Sequence, residues 1–143
     1  MIETFRAEQW LYSLLTGDTG PGGVNTFVGG RIYAYVAPSG ASFPFVVYSY
    51  QGGHDVQGIG PARIMASGVY QVKVVGKAAT VAFGAIKAIA DRIDTLLQGA
   101  SGTVVDGRVL SCVREQGISY VEISGSDVYS HLGGLYRLLV QPI

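Results

Sequence analysis

Charge is scarce in this sequence of 143 residues, and its scarcity excludes several classes of protein. Charged residues make up 14% of the chain, and ten Lys and Arg balance ten Asp and Glu, whereas an average globular protein is about 25% charged. A general nucleic-acid-binding protein would carry an excess of Lys and Arg. A disordered chain would contain far fewer than 48% apolar residues. The length predicts one domain over residues 1–143.

Cysteine is nearly absent, because Cys112 is the only one in the chain. A single cysteine excludes an internal disulfide and any multi-cysteine zinc site within one chain. Cys112 lies in a strand pattern, where a lone cysteine usually behaves as a small buried hydrophobic residue. The N-terminal segment has no basic region of the kind that opens a signal peptide. These features favour synthesis and folding in a reducing cytoplasm.

Long uninterrupted apolar runs are also missing. The longest apolar helical pattern, over residues 81–97, is interrupted by four charged residues between positions 87 and 94. A helix that spans a membrane needs about 20 predominantly apolar residues. We therefore expect no contact with a membrane.

The common motifs of catalysis and cofactor binding are not found. Gly76-Lys77 is no phosphate-binding loop, since Gln71 stands where that loop requires its first glycine. A metal site from His54 and His131 would need a carboxylate such as Asp55 or Asp127, but His54 lies in a predicted loop with no second ligand two or four residues later. No Gly-x-Ser-x-Gly motif is present. We predict no catalytic residue, no metal and no cofactor, and we expect that the chain is not an enzyme.

Glycine is what the chain has in excess, with 21 residues against roughly ten at average usage. The chain also combines high apolar content with zero net charge. A neutral, weakly charged surface promotes association, so we expect the protein to work inside an assembly. A larger hydrophobic core than usual is the alternative explanation.

Hydrophobic periodicity predicts two helices and six strands. The helices are predicted at residues 3–16 and 78–97. The strands are predicted at residues 31–36, 43–50, 62–75, 104–115, 119–123 and 132–141. The predicted connections are a glycine-rich loop over 17–30, a long hairpin tip over 51–61, a turn at Gly117 and a polar segment over 124–130.

Neither predicted helix can bury its apolar stripe alone. Both are therefore predicted to pack on one face of a mainly antiparallel sheet. The expected fold is an α+β domain of two layers, from which a long β-hairpin protrudes at 51–61. That segment contains four glycines and a proline, so we do not expect it to be a strand throughout.

Tyrosine is frequent on the strand patterns, with nine in the chain. Alternation places Tyr33 and Tyr35 on the face opposite to Ile32, Ala34 and Val36. Because helices cover only one face of a two-layer domain, we expect Tyr33 and Tyr35 to contact a neighbouring subunit. The alternative is that the tyrosines are sheet-forming residues packed under the helices.

The N-terminal third carries a succession of motifs typical of one family. A helix that opens with Met-Ile-Glu and ends in Leu-Leu precedes Gly29–Tyr33 (GGRIY), Val36–Pro38 (VAP) and Phe43–Tyr48 (FPFVVY). With the long strand, Ala-rich helix and closing strands that follow, the chain resembles the tail terminator, or tail completion, proteins of long-tailed (siphovirus-like) bacteriophages. Two glycine-rich segments, 17–25 and 51–61, depart from the pattern.

The resemblance implies a structural, non-enzymatic virion protein located at the tail–neck junction and assembled in the host cytoplasm. Such subunits form a homo-oligomeric ring, usually six-fold, that caps the head-proximal end of the tail tube. The ring stops tube polymerisation and helps to join the tail to the neck. The implied partners are the major tail tube protein, a neck or head-completion protein, and genome DNA that passes through the lumen without specific binding.

The long hairpin is our candidate for contact with the tube or with neighbouring subunits, since it exceeds the length that a plain hairpin needs. The residues predicted to make this contact, in addition to Tyr33 and Tyr35, are Gln51, His54, Asp55, Gln57 and Arg63. A surface loop without a partner is the alternative. The alternative functions are another neck or tail component, such as a head-closure or tail tube protein, or a small ligand-binding or enzymatic α+β domain.

Overall fold

Three helices and six strands make up the part of the chain that the structure describes. The computed structural model describes residues 2–142, with side chains from Arg6 onward, so residues 1 and 143 of the predicted domain lie outside it. The helices are α1 (Ile2–Thr16), α2 (Val24–Val28) and α3 (Phe83–Leu97). The strands are β1 (Ile32–Ala34), β2 (Phe45–Gln57), β3 (Arg63–Lys77), β4 (Gly102–Val104), β5 (Gly107–Ser124) and β6 (Asp127–Pro142).

The six strands form one sheet in the order β1-β2-β3-β6-β5-β4. Short β1 lies parallel to β2, and the other four pairs are antiparallel. The two hairpins β2–β3 and β5–β6 provide the long strands, and β3 and β6 meet at the centre of the sheet. The predicted α+β fold with a mainly antiparallel sheet is confirmed.

The helices pack together on one face of this sheet, as the apolar stripes predicted. Helix α3 buries residues at helical spacing, and all four are at most 1% exposed: Ile86, Ile89, Ile93 and Leu97. Helix α1 adds Ala7, Leu11 and Leu15 to the same cluster, which contacts Val46, Val72, Val74 and Leu138 of the sheet. Burying one such large aliphatic side chain contributes about 1.5–3 kcal/mol to folding.

A third helix lies inside the segment 17–30 that was predicted to be a loop. Helix α2 buries Val24 and Val28 completely, and their spacing of four residues places both on one side of the helix. The side chain of Asp18 accepts a hydrogen bond from the amide N–H of Val24 at 2.9 Å. The loop prediction was therefore wrong for residues 24–28, where five residues were too few for periodicity to indicate a helix.

The prediction of a hairpin tip over 51–61 was wrong in its first half. Strand β2 continues to Gln57, and only residues 58–62 form the turn. A Cβ atom on Gly53 would lie 2.1 Å from the carbonyl oxygen of Ser67, so glycine permits the close approach of the two strands. Gly52 has φ 143° and follows a register shift after Tyr50. Here glycine indicates a bulged strand and not a loop.

The predicted strands 104–115 and 119–123 are one strand, β5, preceded by short β4. Gly117 pairs with Gly134 of β6 and is not a turn. The turn lies at Gly125 and Ser126, where Gly125 has φ 62°, as a tight hairpin requires. Most of the predicted polar connection over 124–130 belongs to β6. The protein thus has two long hairpins, of which only β2–β3 was predicted.

Candidate functional site

The β2–β3 hairpin brings together five of the residues predicted to make assembly contacts. Strand β6 pairs with β3 only as far as Ala66, which lies opposite Val140. The hairpin therefore projects beyond the end of the sheet. The exposed side chains on this hairpin include Gln51, His54, Asp55, Gln57 and Arg63.

Polar contacts within the hairpin are few and solvent-exposed. Arg63 Nη1 lies 3.3 Å from Asp55 Oδ2, and each side chain is 36% exposed. The Gln51 side-chain amide donates a hydrogen bond to Ser49 Oγ at 2.8 Å. Exposed ion pairs of this kind contribute about 0–1 kcal/mol to stability, so this pair adds little to the rigidity of the hairpin.

Ile59 is the most exposed hydrophobic residue of the hairpin, at 108% of its reference area. It lies in the turn between Gly58 and Gly60, and Gly60 has φ 96°. The two flanking glycines leave the isoleucine as the one large apolar group of the turn. Ile59 was not among the predicted contact residues, although an isoleucine between two glycines in a turn indicates an exposed apolar side chain.

Tyr33 and Tyr35 differ in their contacts. Tyr33 packs against Phe45 with ring centroids 5.8 Å apart and planes at 62°, on the face that carries no helix. Strand β1 ends at Ala34, and Tyr35 has φ 65°, so alternation stops there. The Tyr35 hydroxyl donates a hydrogen bond to the carboxylate of Glu8 on α1, and burial and that carboxylate raise the pKa of Tyr35. Tyr35 nevertheless lines the groove on the helix-free face, and the contact of both tyrosines with a neighbouring subunit stays a prediction.

Other tyrosines follow the alternative explanation and pack under the helices. Tyr48, Tyr70 and Tyr136 are buried in the main core. The Tyr136 hydroxyl donates to Asp94 Oδ1 of α3 at 3.0 Å, and burial together with this contact raises the pKa of Tyr136. Part of the tyrosine excess therefore belongs to the core and carries no information about partners.

The helix-free face carries a second, smaller apolar cluster of Phe45, Val47 and Val75. Together with neighbouring aromatic residues these line a groove of about 270 Å³. Phe43 lies 5.4 Å from Tyr129, between ring centroids. Aromatic side chains at a partly open groove are typical of protein contact surfaces.

Polar side chains border this groove. The ring of His131 stacks on Tyr120 at 4.4 Å and 8°, and its Nε2 lies 3.0 Å from Glu122 Oε1. Lys73 donates to the Tyr120 hydroxyl at 2.7 Å. Burial lowers the pKa of His131 in spite of Glu122, so the imidazole is neutral at pH 7. Its contact with Glu122 joins β6 to β5.

A larger groove of about 750 Å³ runs along α1. Its lining includes Trp10 and Tyr12 of α1, Ala34 of β1, Tyr48 of β2 and the segment 103–105. Within residues 2–142, no group of three or more His, Cys, Asp and Glu side chains could hold a metal ion. Of the helices described, none is long and apolar enough to cross a membrane.

Both sides of the sheet present strands with an unpaired edge. Among the residues described, the strand that pairs with the outer side of β2 is β1, at residues 46–48. The strand that pairs with the outer side of β5 is β4, at residues 107–109. The β5 edge was not predicted, although Tyr120, Val121 and Ile123 form a β-rich run in the sequence.

The comparisons with known proteins agree with this architecture. Among solved structures, the chain is similar to a protein in the virion of a native gene transfer agent (GTA) particle, with a TM-score of 0.69. The two chains are 18% identical, and the match covers 97% of each; at this identity the likeness concerns the fold. No curated protein matches the chain.

The family comparison covers most of the chain. The model of the family described as tail completion protein gp17 matches residues 10–141, which run from α1 to β6. The resemblance drawn from residues 29–48 is thereby confirmed. This protein belongs to the family of tail completion protein gp17, and it is a structural protein of a phage-type tail.

Proposed function

We propose that this chain, acting as one domain over residues 1–143, is the ring-forming terminator of a phage tail tube. It caps the head-proximal end of the tube, stops its polymerisation and helps to join the tail to the neck. The observation that supports the proposal best is the family match over residues 10–141. The role is mechanical, and the protein works without catalysis or a cofactor.

The partners follow from this role. Copies of the chain form a homo-oligomeric ring of six, which contacts the major tail tube protein on one side and a neck or head-completion protein on the other. Genome DNA passes through the lumen. Specific binding there would hinder passage, because neutralising phosphates with Lys and Arg gives tight binding; a net charge of zero suits a surface that does not retain DNA. The ring assembles in the host cytoplasm and remains in the virion at the tail–neck junction.

Capping works by complementarity. One face of the ring fits the last layer of the tube as the next layer would, and the opposite face lacks the surface that another tube layer needs. The β2–β3 hairpin supports this proposal, since its tip beyond Ala66 projects past β6 and presents Ile59 and Gln57. Gln51, His54 and Asp55 are exposed on the part of β2 that still lies in the sheet. An exposed apolar residue on a projecting hairpin is suited to burial in a partner.

Electron microscopy and mass measurement of the purified protein test the proposal. A terminator gives closed rings, alone or on added tube ends, and never extends into cylinders. A tail tube protein would polymerise into long cylinders by itself. A monomer that remains monomeric with tube ends present would contradict a ring of any kind and would favour a small ligand-binding or enzymatic domain.

A further inference from the structure

The outer side of β5 is covered at its beginning and open in its second half. Strand β4 pairs with residues 107–109, and the amide N–H of Arg114 donates to Gln98 Oε1 at 2.8 Å. From Gln116 to Ser124 no strand within residues 2–142 pairs with this side. We call this segment the β5 edge. Its exposed apolar side chains are Tyr120, Val121 and Ile123, at 44%, 59% and 72%.

The outer side of β2 is likewise covered at its beginning and open in its second half. Strand β1 pairs with residues 46–48, and the amide N–H of Tyr35 donates to the Tyr48 carbonyl at 2.8 Å. From Ser49 to Gln57 only β3 pairs with β2 among the strands described. We call this segment the β2 edge. Neither edge contains lysine or proline, the residues that proteins most often use to guard open edges, and the bulge at Gly52 on β2 is a protective device on the β2 edge.

We infer that neighbouring copies of this chain join by pairing the β2 edge of one copy with the β5 edge of the next. The inference rests on the proposed ring and adds which surfaces hold it together. A contact between two different surfaces of the same chain is head-to-tail, and such contacts generate rings when the rotation closes. An open edge supplies unpaired N–H and C=O groups along its length, so pairing gains backbone hydrogen bonds.

The two edges fit each other in direction. The β5 edge is nine residues long, and on the β2 edge Tyr35 already contacts the backbone of Tyr50, which leaves residues 51–57 open. Strand β2 runs antiparallel to β5 within the sheet, because three antiparallel pairings separate them. A copy related by rotation therefore presents its β2 edge antiparallel to the β5 edge of its neighbour, which is the more stable pairing.

The edges lie at diagonally opposite corners of the sheet. Tyr50, Tyr70, Tyr136 and Arg114 lie side by side across β2, β3, β6 and β5. From this level the β2 edge extends towards one end of the sheet and the β5 edge towards the other. Joining their centres shifts neighbouring copies by about seven residues, roughly 23 Å, across four strand spacings of roughly 19 Å. The strands would then tilt by about 50° from the ring axis, slightly more than the ~35–45° of closed barrels.

A second copy of the chain is the occupant that this geometry favours. Another protein could cover one edge, but nothing would then explain why the two edges run antiparallel and occupy opposite corners of the sheet. The ends of the paired segments also meet matching features of the neighbouring copy. The β2–β3 turn of one copy reaches the level of Gln98 on its neighbour, and the β5–β6 turn reaches the level where β1 ends.

Disulfide cross-linking of assembled protein tests the inference. The variant His54→Cys is combined in one chain with Ile118→Cys, Tyr120→Cys or Glu122→Cys, which lie on the same helix-free face of the sheet as His54 and sample the register around the centre of the β5 edge. The native Cys112 is buried and does not compete. We expect at least one pair to oxidise into a ladder of covalent oligomers that ends at the copy number of the ring, since paired strands bring Cα atoms within the ~4.4–6.8 Å that a disulfide needs. The matched control is His54→Cys with Lys87→Cys, which is exposed on α3 outside both edges.

A second set of variants tests the β5 edge without cysteine. Val121→Lys and Ile123→Lys place charges on the edge, whereas Val105→Lys and Val36→Lys alter equally exposed valines elsewhere, at 62% and 76%. We expect the edge variants to raise the concentration for half-assembly at least tenfold and the controls less than twofold. Thermal unfolding of all four verifies that they fold.

The outcomes separate this inference from the proposed function. Rings that form normally, with no cross-link at any of the three positions and no effect of the edge lysines, would overturn the inference and leave the terminator role standing. Cross-links from the β5 edge to a tube subunit in place of a second copy would overturn it as well. A chain that stays monomeric even at tube ends would overturn the proposed function and this inference together.

Discussion

The carboxylate of Asp18 accepts two hydrogen bonds from Arg92, from Nε at 2.8 Å and from Nη2 at 2.7 Å. The same carboxylate also accepts the amide N–H of Val24, which opens α2. Paired in this way, Arg92 lowers the pKa of Asp18 below its ordinary value of 3.8. One ion pair therefore holds the connection between α1 and α2 against α3, at the start of the segment that leads into β1.

We expect Asp18→Asn to lower the melting temperature by about 2–6 °C at pH 7, because the bidentate ion pair is lost. The pKa of Asp18 is depressed in the folded state, so its contribution is fully present above pH 4. It is lost as the pH falls from 3.8 through the lower folded value. The difference in unfolding free energy between wild type and variant should therefore shrink below pH 4, as measured by urea denaturation at several pH values.

Asp91→Asn is the matched control for this prediction. Asp91 lies on the exposed side of the same helix, one residue before Arg92. It should leave the melting temperature nearly unchanged. Equal effects of the two variants, or a difference between Asp18→Asn and wild type that persists at pH 2, would show that the ion pair does not stabilise the fold.

Gly133→Ala should destabilise the centre of the sheet. A Cβ atom at this position would lie 2.1 Å from the Val72 carbonyl oxygen and 2.6 Å from the Lys73 Cα, so the backbone of β3 or β6 must move. We expect a loss of about 1–3 kcal/mol in unfolding free energy. Gly84→Ala in α3 meets nothing within 4 Å and should instead gain about 0.5–1 kcal/mol. Chemical denaturation measures both changes. Equal unfolding free energies for the two variants would contradict the strand register around Gly133.

The thiol of Cys112 should be inert in the folded protein. Its side chain is fully buried, and burial, aided by the charge of Asp94, raises its pKa to about 12. Because the thiolate is the reactive form, we expect a thiol reagent at pH 8 to label the native chain orders of magnitude more slowly than the urea-unfolded chain. Rapid stoichiometric labelling of native protein would mean that β5 is open at this point.

Ile59→Lys should weaken the contact with the tail tube without affecting the fold. The side chain is fully exposed, so the melting temperature should not change. If Ile59 is buried by a partner, losing an isoleucine from that contact costs about 1.5–3 kcal/mol, or at least tenfold in affinity. Val105→Lys, an exposed valine outside the hairpin, is the control. Co-sedimentation with tubes measures the binding of both variants. Binding equal to that of the control would show that the hairpin tip does not contact the tube.

Those parts of the fold with strong periodicity were predicted from the sequence. The apolar stripe of α3 and the alternation of β3 indicate their elements without help from the rest of the chain. Glycine was misread in two strands, because local rules treat it as a turn residue. In the structure, the backbone of Ser67 on the partner strand leaves no room for a Cβ atom at Gly53. Gly117 lies within β5 and pairs with Gly134 of β6. Both partners are distant in the sequence, so the residues next to each glycine do not reveal the contact.

The candidate contact residues also fall into some that could be predicted from the sequence and some that could not. Those on the β2–β3 hairpin could be predicted, because the length of that segment is visible in the sequence. The position of Tyr35 could not, since its φ of 65° breaks the alternation that Tyr33 obeys. The open β5 edge follows from the order of strands across the sheet, and no local pattern records which strand lies beside which.

Tube assembly in the presence of this protein tests its central role most directly. Tail tube subunits from the same virion are polymerised with increasing amounts of the chain, and tube lengths and ends are measured by electron microscopy. A terminator should leave one ring on a single end of each tube and shorten the tubes as its ratio to tube subunits rises. Tubes of unchanged length with bare ends, or incorporation of the chain along the tube wall, would contradict the account.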